Sequence, residues 1–175
     1  MYFALRTPHF ALAMRFYTVA LGIILLDQLS KLYIQVTIPL GVSVPIIPDL
    51  FAIVHVLNPG AAFGLLAARS SAFRNPFFIG ISVLAIGFIL YYRHRGLEGH
   101  PLASFALSLI LGGAVGNLID RLRIGMVIDF LDVHYHQYHW PAFNVADSAI
   151  TVGVSLMLLD LVLGERRGDD RRPTA

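Results

Sequence analysis

The sequence predicts an all-α membrane protein of four transmembrane helices, on three observations. Of its 175 residues, 57% are hydrophobic and only 14% are charged, with a mean hydropathy of +0.70. A water-soluble domain carries charge on about a quarter of its residues. Four apolar segments approach the ~20 residues that a helix needs to cross a bilayer. The Lys and Arg residues gather beside these segments in an asymmetric pattern. The chain has room for four spans with modest loops, hence a single integral membrane domain over 1–175.

The first span covers about 16–34. It lies too far in and is too long for a cleaved signal peptide, and no small-residue cleavage site follows it. The outer loop, about 35–75, is rich in Val and Ile and punctuated by Pro. It reads as short strands with a turn at Asn58-Pro59-Gly60. The stretch 61–76 that follows, "AAFGLLAARSSAFRNP", reads as a short amphipathic helix on the membrane surface. The second span covers about 76–92, the third about 101–122 and the fourth about 143–163. The last residues, about 165–175, form a basic tail expected to be solvated and disordered.

Arg6, Arg15, Arg93, Arg95, Arg166, Arg167, Arg171 and Arg172 fall on one side of these spans. Lys31, Arg69, Arg74, Arg121 and Arg123 fall on the other. The positive-inside rule puts both termini and the 93–100 link in the cytoplasm. The net charge of +2 gives no reason to expect a nucleic-acid partner. Cysteine is absent, which excludes disulfides, thiol nucleophiles and thiolate metal sites.

In this orientation the polar residues of three spans converge near the outer interface. Asp27 and Lys31 lie in the outward half of span one, four residues apart on one helix face. Asn117, Asp120 and Arg121 share a face at the outer end of span three. Asp129 follows just beyond it. Asn144, Asp147, Thr151 and Ser155 form one polar stripe from the start of span four. Small residues flank these faces: Gly112, Gly113, Ala114 and Gly116 in span three, and Ala146, Ala149 and Gly153 in span four. They would let the helices approach closely. Arg121 is expected to pair with Asp120, and Asp132 to serve structure only. Asp147 lies inside the boundary, where an acid is by default a functional residue.

The chain has no HExxH, GxSG or GxGD motif. The run "HYHQYH", with His134, His136 and His139, reads as an interfacial aromatic belt beside Trp140, and no metal is expected there. Ser30 and Lys31 are adjacent on a helix and point in different directions, which argues against a Ser/Lys dyad. A pair of carboxylates remains. Two acids close together in low dielectric share a proton, so one member can take a proton from water while the other donates. That chemistry hydrolyses a peptide without metal, cofactor or covalent intermediate. Asn117 and Asn144 could hold either the carboxyls or a substrate backbone.

Five blocks in order carry a resemblance: "DQLSK" at 27–31, "NPGAAFG" at 58–64, "GGAVGNLIDRL" at 112–122, "VIDF" at 127–130 and "FNVADSAITVG" at 143–153. Together the blocks resemble those of the bacterial lipoprotein signal peptidases, also called signal peptidase II, over nearly the whole chain. The resemblance implies that Asp129 and Asp147 are the catalytic pair. It implies supporting or substrate-contacting roles for Asp27, Asn58, Asn117, Asp120, Arg121 and Asn144. It implies that the outer loop forms a small β-cradle and a surface helix over the site. The implied substrate is a prolipoprotein in the bacterial inner membrane, cut just before a cysteine that carries diacylglycerol, with the site near the outer face. The chain is expected to act as a monomer among membrane lipids. Gly64 departs from the serine that many members carry. The rival readings are a small transporter or proton relay, and a non-catalytic assembly factor whose polar stripes only join helices.

Overall fold

A computed structural model of the chain describes residues 7–60, 70–95 and 100–169. Their order is α1 (Thr7–Thr37), β1 (Ser43–Ile47), β2 (Phe51–Asn58), α2 (Ser71–His94), α3 (Pro101–Ile124), β3 (Val127–Tyr135), β4 (Tyr138–His139) and α4 (Val145–Asp169). Each helix contains a segment long and apolar enough to cross a membrane: Ala13–Thr37, Ala72–His94, Pro101–Ile124 and Val145–Leu163. Four helices of spanning length are therefore present; the first two spans extend beyond the expected ends, the third starts at 101 as expected, and the fourth starts two residues later than expected.

α3 is the centre of the bundle. Its spanning segment is 67% buried, against 22% for α1, 17% for α4 and 6% for α2. Small residues make this possible. A side chain at Gly112 would meet the Ala20 carbonyl of α1 at 2.8 Å. One at Gly113 would strike the Ala146 carbonyl of α4, and one at Gly153 would meet the Ala106 carbonyl of α3 at 2.7 Å. Backbones this close gain packing that larger side chains would prevent. The outward faces carry exposed apolar side chains such as Leu21, Leu29, Leu84, Phe88, Leu158 and Leu161. In water such a surface would be untenable, and against lipid tails it carries no penalty.

The apolar core (Phe16, Ala20, Ile89, Ala103, Leu107 and Leu111) occupies one half of the bundle. The polar residues of α1, α3 and α4 fill the other, where the four-stranded antiparallel sheet β1-β2-β3-β4 covers the helix ends. α3 stops at Gly125, whose φ of 75° is the left-handed conformation that glycine adopts without strain, and whose N–H bonds back to the Arg121 carbonyl. The chain then enters β3.

Four features differ from the sequence reading. β3 and β4 lie in a segment read from residue pattern only as a loop, although Val127, Ile128, Phe130, Leu131 and Val133 are good strand formers. α2 begins at Ser71, so Pro76 lies inside it. In the second turn a proline forfeits one hydrogen bond, to the Ala72 carbonyl, and the helix continues. Residues 71–76 of the expected surface helix are thus the start of α2, and 61–69 lie outside the described residues. α4 continues through Asp169, so part of the expected disordered tail is helical, and 170–175 lie outside the described residues.

Candidate active site

Asn144 is the hinge of the site. It precedes α4 and caps it: its Oδ1 accepts the Asp147 backbone N–H at 2.9 Å, satisfying a donor that the helix cannot. Its Nδ2 meanwhile faces β3 and lies 2.7 Å from Asp129 Oδ1, 3.2 Å from the Ile128 carbonyl and 3.2 Å from Asn117 Oδ1. One amide therefore fixes the start of the helix that carries Asp147 and holds the Asp129 carboxylate. The backbone reinforces this. Phe143 exchanges hydrogen bonds with Leu131, and its carbonyl also accepts from the Phe130 N–H at 3.0 Å.

Asp129 is 1% exposed. Besides Asn144, it accepts from Asn58 Nδ2, which reaches its Oδ2 at 2.9 Å from the end of β2. The Asn58 Oδ1 in turn accepts the Gly60 N–H at 2.8 Å, which fixes the amide in a turn. Opposite Phe130 the register of β2 shifts between Ile53 and Val56, a bulge beside Asp129. Bulges bend a sheet locally and re-aim the side chains next to them. Burial first, and then the negative charge of Asp147, push the Asp129 carboxyl up to about 7. The Asn58 and Asn144 donors and the Lys31 charge act the other way. Asp147 accepts from Asn117 Nδ2 at 2.7 Å. It opens onto a cleft of about 530 Å³ lined also by Asn58, Phe78, Arg121 and Trp140.

Behind the two acids lies a buried ionic cluster. Lys31 is 1% exposed. Its ammonium is 2.8 Å from Asp27 Oδ2, 2.8 Å from Asp120 Oδ2 and 2.9 Å from Asn117 Oδ1. Three donors meet three acceptors, the full capacity of a lysine. Asp27 Oδ1 also accepts the Ala146 N–H of α4 at 2.9 Å. Asp120 Oδ2 accepts the Ile128 N–H of β3 at 3.3 Å. Gln28 Nε2 reaches both Asp27 and Asp120 at 3.1 Å. The cluster thereby ties α1, α3, α4 and β3 together immediately beneath Asp129 and Asp147. Gly116 leaves room for it: a Cβ there would sit 2.6 Å from Asp27 Oδ2.

The structure brings Asp129, Asp147, Asn58, Asn117 and Asn144 into one hydrogen-bonded group and sets Asp27 and Asp120 in the cluster below. It corrects one pairing. Asp120 is the partner of Lys31 rather than of Arg121. Arg121 instead lies over the Phe78 ring, 5.3 Å from its centroid, and lines the cleft beside Asp147. Helix geometry accounts for this: residues 120 and 121 are about 100° apart around α3, so one faces α1 while the other faces the cleft. Residue patterns placed Lys31 beside Asp27 on one helix face at the level of the site, by their i, i+4 step, but did not single out Gln28.

A membrane bundle with two amide-held acids, Asp129 buried and Asp147 partly buried at the wall of a cleft, defines a multi-pass membrane protein of the aspartic-hydrolase type. The comparisons with known proteins give the family. The family model described as "Signal peptidase (SPase) II" matches residues 19–163. The chain is 52% identical over 152 residues to a lipoprotein signal peptidase of Geobacter sulfurreducens, covering 87% of this chain and 94% of that one. It is 47% identical over 150 residues to a lipoprotein signal peptidase of Cupriavidus necator, covering 85% and 83%. A solved bacterial membrane enzyme superposes with a TM-score of 0.77 at 29% identity over 92% of this chain and 93% of that one. A second gives 0.75 at 31% identity over 84% and 92%. The chain belongs to the signal peptidase II family, whose members are aspartic peptidases. Membership decides against the transporter and assembly-factor readings.

Proposed function

We propose that Asp129 and Asp147 are the catalytic pair with which this signal peptidase removes the signal peptide of prolipoproteins. The observation that carries the assignment is Asn144, which donates to one carboxylate and accepts the backbone N–H of the other. With one proton shared between the two acids, the ionised carboxylate takes a proton from a water molecule as it attacks the scissile carbonyl. The protonated carboxyl donates to the carbonyl oxygen. Collapse of the tetrahedral intermediate then moves a proton to the departing amine nitrogen. No metal and no cofactor enters these steps. Asn58, Asn117 and Asn144 hold the carboxyls, Asp27 and Asp120 hold the Lys31 cluster, and Arg121 stands in the cleft for the substrate backbone.

The lipid specificity follows from depth. A cysteine carrying diacylglycerol keeps its acyl chains in the bilayer, so the bond preceding it stays near the interface. Asp147 lies in the first turn of α4, within a few ångströms of the membrane rim by a rise of about 1.5 Å per residue. The cleft extends to Thr151 and Val152 on the exposed face of α4, which lets a membrane-anchored substrate enter sideways. The charge distribution supports a cytoplasmic location for both termini, with the site near the outer face of the bacterial inner membrane.

The test is to incubate purified enzyme with a diacylglyceryl-modified precursor and with its unmodified twin, following cleavage by gel shift. The modified precursor is cut just before the cysteine and the twin stays intact. Equal cleavage of both would refute the lipid requirement.

The Asp129 carboxyl also predicts the pH profile. The working pair holds one proton. As pH rises through about 7 the second carboxyl ionises, the shared proton is lost and cleavage falls. Asn58→Ala removes a donor that favours the ionised form, so the alkaline limb moves to higher pH. A profile of kcat/KM flat from pH 6 to about 9 would contradict this reading.

A further inference from the structure

A second cluster of ligand-type side chains lies on the β3–β4 hairpin, outside the catalytic group. Asp132 and His134 are two residues apart on β3 and share one face of the strand. His139 pairs directly with His134 across the hairpin, so it stands on that same face. One ligand atom from each of the three lies within 4.8 Å of the others. His139 Nδ1 is 2.9 Å from Asp132 Oδ1 and 3.0 Å from Oδ2. The two imidazoles stack at 4.6 Å, 16° from parallel. His134 Nδ1 is buried and lies 3.5 Å from Asp132 Oδ2, yet it makes no hydrogen bond. His136, the remaining histidine of the run, is not part of the cluster. Its φ of 52° turns the chain, and its Nδ1 faces Asp49 at 3.6 Å.

A buried ring nitrogen that makes no hydrogen bond, beside a carboxylate and a second imidazole, is an arrangement that a cation completes. Two imidazoles and a carboxylate form a borderline donor set that suits zinc better than calcium or magnesium. A tetrahedral zinc with bonds of about 2.0–2.2 Å needs ligand atoms some 3.3 Å apart, so the stacked His134 and His139 rings turn out of parallel to bring both Nδ1 atoms onto one ion. His139 is 53% exposed on its side chain, so an ion can arrive from solvent.

We propose that Asp132, His134 and His139 form a binding site for a zinc ion that fastens β3 to β4. Residues 140–143 follow His139 directly and line the substrate cleft, so an ion at the hairpin holds that wall in place. The ion is no participant in hydrolysis. Asp132 is three residues from Asp129, and the two point to opposite faces of β3.

The test uses untagged, full-length protein in detergent, stripped with a chelator and titrated with zinc chloride against a chromophoric competitor. One zinc per chain is expected to bind, and His134→Ala, His139→Ala and Asp132→Asn each weaken it at least about tenfold. An unchanged elution profile and unfolding midpoint in detergent without zinc show that the variants are folded. Crystals of the unaltered protein soaked in zinc chloride serve where a variant fails to fold. An anomalous peak among the three side chains supports the proposal. No bound zinc, binding that all three substitutions leave unmoved, or a peak elsewhere overturns it.

Discussion

Asp129→Asn and Asp147→Asn each reduce kcat/KM for the lipidated precursor by at least about a thousandfold, because each removes a group that acts as both base and acid in one cycle. The physical ground is the coupling between the two positions. An amide keeps the shape of a carboxyl but can neither accept a proton from water nor share one with its neighbour. Fold should survive. Asp147→Asn keeps an oxygen for the Asn117 donor. Asp129→Asn keeps one oxygen and places its NH2 against a former donor, Asn58 or Asn144, at a cost of about 1–3 kcal/mol. The measurements are initial cleavage rates for the three proteins, together with their elution profiles and unfolding midpoints in detergent. Activity within tenfold of the parent in either variant would remove that residue from the mechanism.

Lys31→Met is the second large effect, and it acts on stability. Lys31 holds two buried carboxylates, and its methionine replacement leaves Asp27 and Asp120 facing each other without a cation. Removing one partner of a buried ionic group costs about 3–5 kcal/mol, since the remaining charge has no water to turn to. Both acids also accept backbone N–H groups, from Ala146 of α4 and Ile128 of β3. Loosening them therefore frees the elements that carry Asp147 and Asp129, and cleavage is lost with stability. Adding Asp120→Asn to Lys31→Met is expected to restore part of the stability, because one unpaired charge disappears. An unfolding titration in detergent measures both effects. A Lys31→Met protein as stable as its parent would mean that the cluster is solvated and contributes little.

The sequence carried the spans and the level of the site because both rest on local rules. Hydropathy over about 20 residues does not depend on what a helix packs against. The i, i+3 and i+4 steps placed Asn117 with Asp120, and Asn144 with Asp147, on shared faces whatever the neighbour. The small residues of spans three and four indicated close approach, and Gly112, Gly113 and Gly153 meet backbone as that pattern requires. The partners of those faces were not legible. Asp120 had an arginine next to it in sequence and a lysine 89 positions away in space. Which of the two it meets depends on how α3 is rotated against α1, and no local rule fixes that rotation. The hairpin cluster was hidden for the same reason. Asp132 read as a loop acid and "HYHQYH" as an aromatic belt until strand register set Asp132, His134 and His139 on one face.

The sequence by itself determined a four-span membrane protein with acids and amides gathered near its outer rim, and its five blocks indicated the family. Only the tertiary structure decided that Asn144 joins Asp129 to Asp147, that Lys31 bonds both Asp27 and Asp120, and that Arg121 turns to the cleft. Hydrophobicity and helical period act along the chain and can be read from it. Hydrogen bonds between buried polar groups form only where helices and strands, far apart in sequence, meet at one rotation and one register.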